Sequence, residues 1–367
     1  MTSSSPALAY APDHASPPGD LLQEYLDHLG ISSRELARRC GRSGKLIAEI
    51  VSAKATLEPE TALQLERVLD VPAAIWSNME AAYQLHQARE AEHLSLSASH
   101  DWAKSFPLKE LAERGYIRQV KEKADQVWEL LRFFGVGSPK ACDDKVAELL
   151  AADFRTSPAF ANDVASLAAW LRVGERRAEK IVTADYNKEA FLAALSDIRS
   201  LTVVPINEAL PQLVQKCAAA GVVFILEQPF ARVRASGVSR WLAPRKALIQ
   251  QSLRHKTDDH FWFTFFHECA HLLLHSRKEI FIDMMKGGGS AGPKEEGEAN
   301  IWSSDILIPS GEMLSFMRKF VGTAAEVVAF AKAQGIAPGI VVGQLQYNKA
   351  VSFAALNDLK VRYAWSE

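Results

Sequence analysis

Between residues 18 and 90 the apolar positions recur at helical spacing in short runs. Leu21, Leu22, Tyr25 and Leu29 share one face of a first helix, which Gly30 stops. Ser32 or Ser33 caps a second helix through Cys40, Gly41 makes a turn, and Ser43 starts a third helix reaching Val51. Pro59 to Leu69 predicts a fourth helix, and Pro72 opens a fifth that runs past Tyr83. Residues 91–200 keep a helical texture, with amphipathic stretches at Leu108–Arg114, Ile117–Phe134, Lys145–Phe154 and Ala161–Arg172. No chemistry stands out there, and the segment reads as a helical connector or platform. After Val203 the texture changes. A helix over Ile206–Ala220 leads through Gly221 into a β-branched strand, Val222–Glu227, with shorter strands predicted at Val238–Leu242, Ala247–Leu253 and Ile280–Met284. Between them lies the most apolar helix of the chain, from about Asp259 to His275.

At 367 residues the chain exceeds one ordinary domain. The expected division is a disordered Ser/Ala/Pro-rich leader at 1–17, an all-α domain at 18–90, the helical connector at 91–200 and an α+β domain at 201–367. The 42 Lys and Arg nearly balance the 44 Asp and Glu, so any nucleic-acid partner must be read locally rather than from net charge. The longest apolar run, about Cys217 to Leu226, is too short for a spanning helix, so no membrane partner is expected. Four scattered cysteines without a CxxC pair suit reduced thiols in a cytoplasmic protein.

The apolar helix carries His267-Glu268-Cys269-Ala270-His271, an H-E-x-x-H string. Histidines at i and i+4 stand one turn apart on one face, so both can reach one Zn²⁺, and the glutamate between them lies near the metal-bound water as a general base. Its neighbours, Phe261 to Phe266 and Leu272 to Leu274, are apolar on nearly every side. Polar side chains inside such a buried helix would each cost on the order of 2 kcal/mol or more unless ligation satisfied them. A hydrogen-bonded buried histidine pair is the bland alternative. A peptidase needs a third ligand, for which Glu295, Glu296 and Glu298 are candidates and His275 a rival that requires the helix to continue. Cys269 reads as a small buried residue. His255, His260 and Tyr347 are candidates for a further oxyanion donor.

HFWFTFFHECAHLLLH followed by EGEANIWSSDILIP resembles the ImmA/IrrE family of metallo-endopeptidases. Glu296, Ala299, Asn300, Trp302 and Pro309 match that family's second motif, while Ser303 stands where it usually has alanine. The resemblance spans about residues 200–350. It implies a zincin-like fold, zinc held by His267, His271 and Glu296, Glu268 as base, and regulatory proteins such as repressors as substrates. Helical register agrees with Glu296, whose face continues through Ala299, Asn300 and Ser303, whereas Glu298 lies about 200° away. Glu295 and Glu298 are therefore expected to be dispensable for zinc. Asn300, one turn after Glu296, is placed as an outer partner orienting His271.

The short helices at Ser33–Cys40 and Ser43–Val51, joined through Gly41, have helix-turn-helix spacing. Residues 1–90 hold eight basic and twelve acidic side chains, yet 34–54 hold six basic and only two acidic ones. A positive patch at such a turn suits phosphate contact, with Arg38, Arg42, Ser43 and Lys45 as the candidate DNA-binding residues. The stretch from Pro17 to Trp76 resembles the XRE-type domain of HigA-like antitoxins through Glu35-Leu36-Ala37, Ser43, Ile47, Ile50-Val51 and Pro59–Leu63. It departs at Arg42, Glu49 and Ala53, the last replacing a turn glycine.

The expected protein is thus a zinc endopeptidase coupled to a DNA-binding regulator, homodimeric on operator DNA and cleaving a regulatory protein. The alternative is a HigA-like antitoxin or autorepressor whose zinc domain senses or docks a partner such as a cognate toxin. A peptidase controlled by a small stress-related ligand is a weaker third reading.

Overall fold

The computed structural model describes residues 15–150, 161–276, 280–284 and 293–365. Most of the expected leader and the end of the Lys145–Phe154 stretch lie outside them. The chain forms two compact units, 1–100 with 122–125, and 101–121 with 126–367. The segment expected as a connector is thereby shared, most of it belonging to the second unit. No single helix among the described residues is long and apolar enough to cross a membrane.

In the first unit, α1 (Pro18–Leu29), α2 (Ser33–Cys40), α3 (Gly44–Val51), α4 (Pro59–Leu69) and α5 (Ala73–Ala98) enclose Leu22, Leu36, Ile47, Ile50, Leu65 and Trp76. Local chemistry sets their ends. Ser32 and Ser43 accept from the backbone N–H groups of Glu35 and Leu46, capping α2 and α3. Gly41 takes φ 67° in the turn between them, the left-handed conformation that a glycine enters without strain.

The second unit begins with α6 (His100–Ala103) at its boundary and α7 (Leu108–Glu113), and holds all but the first residues of α8 (Lys123–Phe134), then α9 (Pro139–Leu150) and α10 (Ala161–Glu179). The predicted helix over Ile117–Phe134 starts only at Lys123. Buried Glu129 instead accepts from the Arg118 backbone N–H at 3.1 Å and its guanidinium at 2.6 Å, fixing that segment as irregular chain. Then follow α11 (Lys188–Ser200), α12 (Ile206–Ala219), β1 (Val222–Leu226), β2 (Ala235–Ala243), β3 (Lys246–Gln251), α13 (Asp258–Leu274) and β4 (Phe281–Met284). The remaining helices are α14 (Pro293–Leu307), α15 (Ser310–Lys319), α16 (Ala324–Gln334) and α17 (Pro338–Tyr347).

The sheet order is β1-β3-β2-β4, with β1 parallel to β3 and the other pairs antiparallel. Strand β1 is apolar at every position because both sheet faces are covered. Val222 and Phe224 join Phe261 and Phe265 of α13, whereas Val223 and Ile225 face Ala178 of α10. Helix α13 is buried along nearly its whole length against β2, β3, α14 and α17. Its first turn is clamped by the C-terminal segment. Lys360 meets Asp259 at 2.6 Å, and the Val361 N–H donates to Asp258 at 3.1 Å. Burial and the neighbouring Asp259 push the Asp258 carboxyl up to about 6.

Candidate metal centre and DNA-binding helices

On α13, His267 and His271 point the same way, with their Nε2 atoms 3.0 Å apart. Helix α14 packs alongside through Ala299 and Ser303, both fully buried and small enough for close approach. The Ser303 hydroxyl is satisfied by the Ala299 carbonyl, so serine is tolerated where alanine was expected. That packing sets Glu296 Oε2 3.3 Å from His267 Nε2 and Oε1 3.7 Å from His271 Nε2. Among the described residues these three side chains form the one group able to hold a metal ion. Nitrogens bound tetrahedrally at about 2.0–2.1 Å stand roughly 3.3 Å apart, so the donor spacing fits zinc. Burial, together with His267 and His275, pushes the His271 imidazole down to about 2, keeping it in the neutral form that ligates.

Three neighbours complete the geometry. Phe281 of β4 stacks on the His271 ring at 4.4 Å between centroids. His271 Nδ1 lies 2.9 Å from Nδ1 of His275, whose Nε2 lies 3.3 Å from Glu298. Were a metal held at His271 Nε2, the ring proton would sit on Nδ1 and be donated to His275, which would donate in turn to Glu298. The helix ends at Leu274, and His275 takes extended backbone there. It therefore serves the site as a partner of His271. The outer position expected for Asn300 is filled by His275, while Asn300 lines a cavity beside the site. Finally, Glu268 is fully buried against β2, where a Cβ at Gly237 would stand 2.8 Å from Glu268 Cγ.

The four residues expected at DNA lie at or beside the turn between α2 and α3, and each has a partner there or on α4. Arg38 forks onto Glu35 at 2.9 and 3.0 Å, Arg42 donates to Gln64 at 2.6 Å, and Lys45 stands 3.8 Å from Glu49. The Ser43 hydroxyl caps α3. Arg38 and Arg39 hold the Glu35 carboxyl down to about 2, so that acid stays ionised within the basic patch.

Residues 253–337 match the Peptidase_M78 family, described as the IrrE N-terminal-like domain. On the N-terminal side, the chain is 35% identical to the HTH-type transcriptional regulator YddM of Escherichia coli (strain K12), over 21% of this chain and 83% of that protein. It is 38% identical to virulence-associated protein I of Dichelobacter nodosus, over 20% of this chain and 68% of that one. The chain belongs to the helix-turn-helix regulators fused to an ImmA/IrrE-like domain. A solved structure described as an antidote protein of a plasmid maintenance system from Nostoc punctiforme covers 21% of this chain and 86% of its own, at 23% identity and a TM-score of 0.21. That likeness carries no weight beside the two regulators.

In the IrrE-like domain, sequence reasoning missed the His275–Glu298 pair and Gly237. The string H-E-x-x-H-x-x-x-H already set three histidines at helical spacing, a signal for His275. Nothing local marked Gly237, which matters only through strand-to-helix packing. His255, His260 and Tyr347 do come together, around the cavity that Asn300 lines. Cys269 is fully buried, and burial raises its thiol well above the ordinary range.

Proposed function

We propose that the chain is a zinc-dependent endopeptidase joined to an operator-binding regulator, and that it cleaves a regulatory protein of repressor or antitoxin type. The carrying observation is Glu268, a fully buried side chain between two histidines whose ligand nitrogens and a Glu296 carboxylate oxygen lie within 4.8 Å of one another. A purely structural zinc site has no use for such a base and is usually closed and cysteine-rich. Zinc held by His267, His271 and Glu296 would supply Lewis acidity toward the scissile carbonyl and lower the pKa of water. Glu268 takes the proton of the attacking water on a carboxylate oxygen and passes it to the leaving nitrogen. Gly237 leaves room for that carboxylate, and Glu298 and His275 fix the tautomer of His271.

The helix-turn-helix domain binds operator DNA as a homodimer, with Arg38, Arg42, Ser43 and Lys45 at the phosphates or base edges. Arg38 and Lys45 are mostly exposed, so exchanging their local carboxylates for phosphate costs little. Such a protein works in the cytoplasm.

A second reading is favoured by the similarity to YddM, which extends over most of that regulator. On it the chain is a HigA-like antitoxin or autorepressor, and the IrrE-like domain senses a signal or docks a cognate toxin. The deciding experiment incubates the zinc-loaded chain with the regulators encoded beside it and follows intact masses. Discrete fragments that vanish with Glu268→Gln support the peptidase. Intact regulators, together with one zinc per chain and tight operator binding, support the antitoxin.

A further inference from the structure

Helix α3 turns a short face away from the core of its unit, formed by Gly44, Lys45, Ala48 and Glu49 and closed by Ser52 just past its end. Gly44 and Ala48 carry no polar side chain. The Ser52 hydroxyl is turned back onto the carbonyls of Ala48 and Glu49, at 2.9 and 3.3 Å. Lys45 and Glu49 are therefore the side chains of this face that extend hydrogen-bonding groups outward. They stand 3.8 Å apart, 83% and 38% exposed.

Helix stability gives Glu49 little reason to be there. It lies in the last turn of α3, where a carboxylate opposes the helix dipole, and that turn holds no basic side chain. The lysine precedes the glutamate by four residues, the weaker order for a pair on one helix. A carboxylate is also repelled by phosphate, in a stretch whose other charges are mostly basic. What it supplies there is an acceptor that carries no donor.

Operator binding also takes away its partner. When Arg38 and Lys45 move onto phosphate, Glu35 keeps Arg39 at 2.9 Å, whereas Lys45 is the one cation in ion-pair reach of Glu49 among the described residues. The freed carboxylate then needs a donor from DNA. The major groove offers two, the 4-amino group of cytosine and the 6-amino group of adenine. Adenine's lies between two acceptors, its own N7 and thymine O4, and both repel a carboxylate. Cytosine's has an acceptor on one side only, guanine O6, and a C–H on the other.

We propose that Glu49 determines operator specificity by accepting a hydrogen bond from the 4-amino group of one cytosine in each half-site. The proposal rests on the operator-binding reading and names a base that reading leaves open.

The test selects DNA from a random duplex library with the full-length chain and sequences the bound fraction. It compares wild type with Glu49→Gln and Glu49→Ala, circular dichroism showing that each is folded. Wild type should fix one C·G pair per half-site, favoured over the other pairs by at least about fivefold, the low end of what one mismatched pair costs. Glu49→Gln should move that single position to A·T, because an amide pairs with adenine N6 and N7. Glu49→Ala should lose the preference there, gain no other, and keep the rest of the motif. A motif unchanged in both variants overturns the proposal. So does tighter binding of Glu49→Gln to every sequence alike, which would mean that the carboxylate only repels phosphate. Either result leaves operator binding standing. Loss of the whole motif in Glu49→Ala would give Glu49 a structural part and overturns the proposal as well. If wild type enriches no sequence, the operator-binding reading fails and the assignment of Glu49 falls with it.

Discussion

The two halves of this chain carry their polar chemistry in opposite ways. At the turn between α2 and α3 the charged side chains are largely exposed, and most have partners three or four residues away, as Arg38 and Arg39 do in Glu35. In the IrrE-like domain, His267, Glu268 and His271 are almost wholly buried, and their partners come from β2, β4 and α14. An exposed patch is assembled by local sequence and can be altered one residue at a time. A buried centre depends on the packing of distant elements, and each member that is removed leaves the others exposed to the cost of desolvation.

The strongest way to break that contrast is Glu268→Gln. The amide keeps shape and burial but accepts no proton, so cleavage should fall by roughly 10²–10⁴-fold while zinc content, read by elemental analysis, stays at the wild-type level. Wild-type cleavage by a zinc-loaded variant would remove Glu268 from the mechanism.

Next in size is the metal set. Glu296→Ala should lose most bound zinc after identical purification, and Glu295→Ala should keep it. Glu298→Ala should also keep its stoichiometry but bind about 10–100-fold more weakly in competition with a chelator, the usual loss when an outer partner is removed. Zinc retained in Glu296→Ala but lost from Glu295→Ala would place the register of α14 wrongly.

The exposed side of the comparison predicts graded effects. Replacing Arg38, Arg42 and Lys45 together with alanine should weaken operator binding uniformly and flatten the salt dependence by up to about 3 in log–log slope, near 0.9 per lost phosphate contact. An unchanged slope in a titration of affinity against salt would mean that these side chains do not touch phosphate.

The smallest effect sharpens the backbone half of the contrast. Ala53 sits just after α3 at φ 53°, a conformation costly for any residue with a Cβ. Ala53→Gly should stabilise the helix-turn-helix unit by about 1 kcal/mol, seen as a shift in its urea midpoint without change in slope. The transition of the IrrE-like domain should not move.

Much of this arrangement was legible in the chain itself. Periodicity, Gly30, Gly41, the capping serines and Pro59 determined the first unit almost residue by residue, because its helices are short and their ends are set by neighbours in sequence. The H-E-x-x-H string likewise marked His267 and His271, since helical spacing places i and i+4 on one face, and the resemblance of the α14 motif to the ImmA/IrrE family implied Glu296. Tertiary structure decided the rest. The β1-β3-β2-β4 order, α10 as a cover for the sheet, the late start of α8, the His275–Glu298 pair, the space that Gly237 leaves for Glu268 and the cavity beside the centre all join residues far apart in the chain or across element ends. Spacing reports which residues share a face. Only packing determines what that face meets, because the free energy lies in surfaces brought together over long separations.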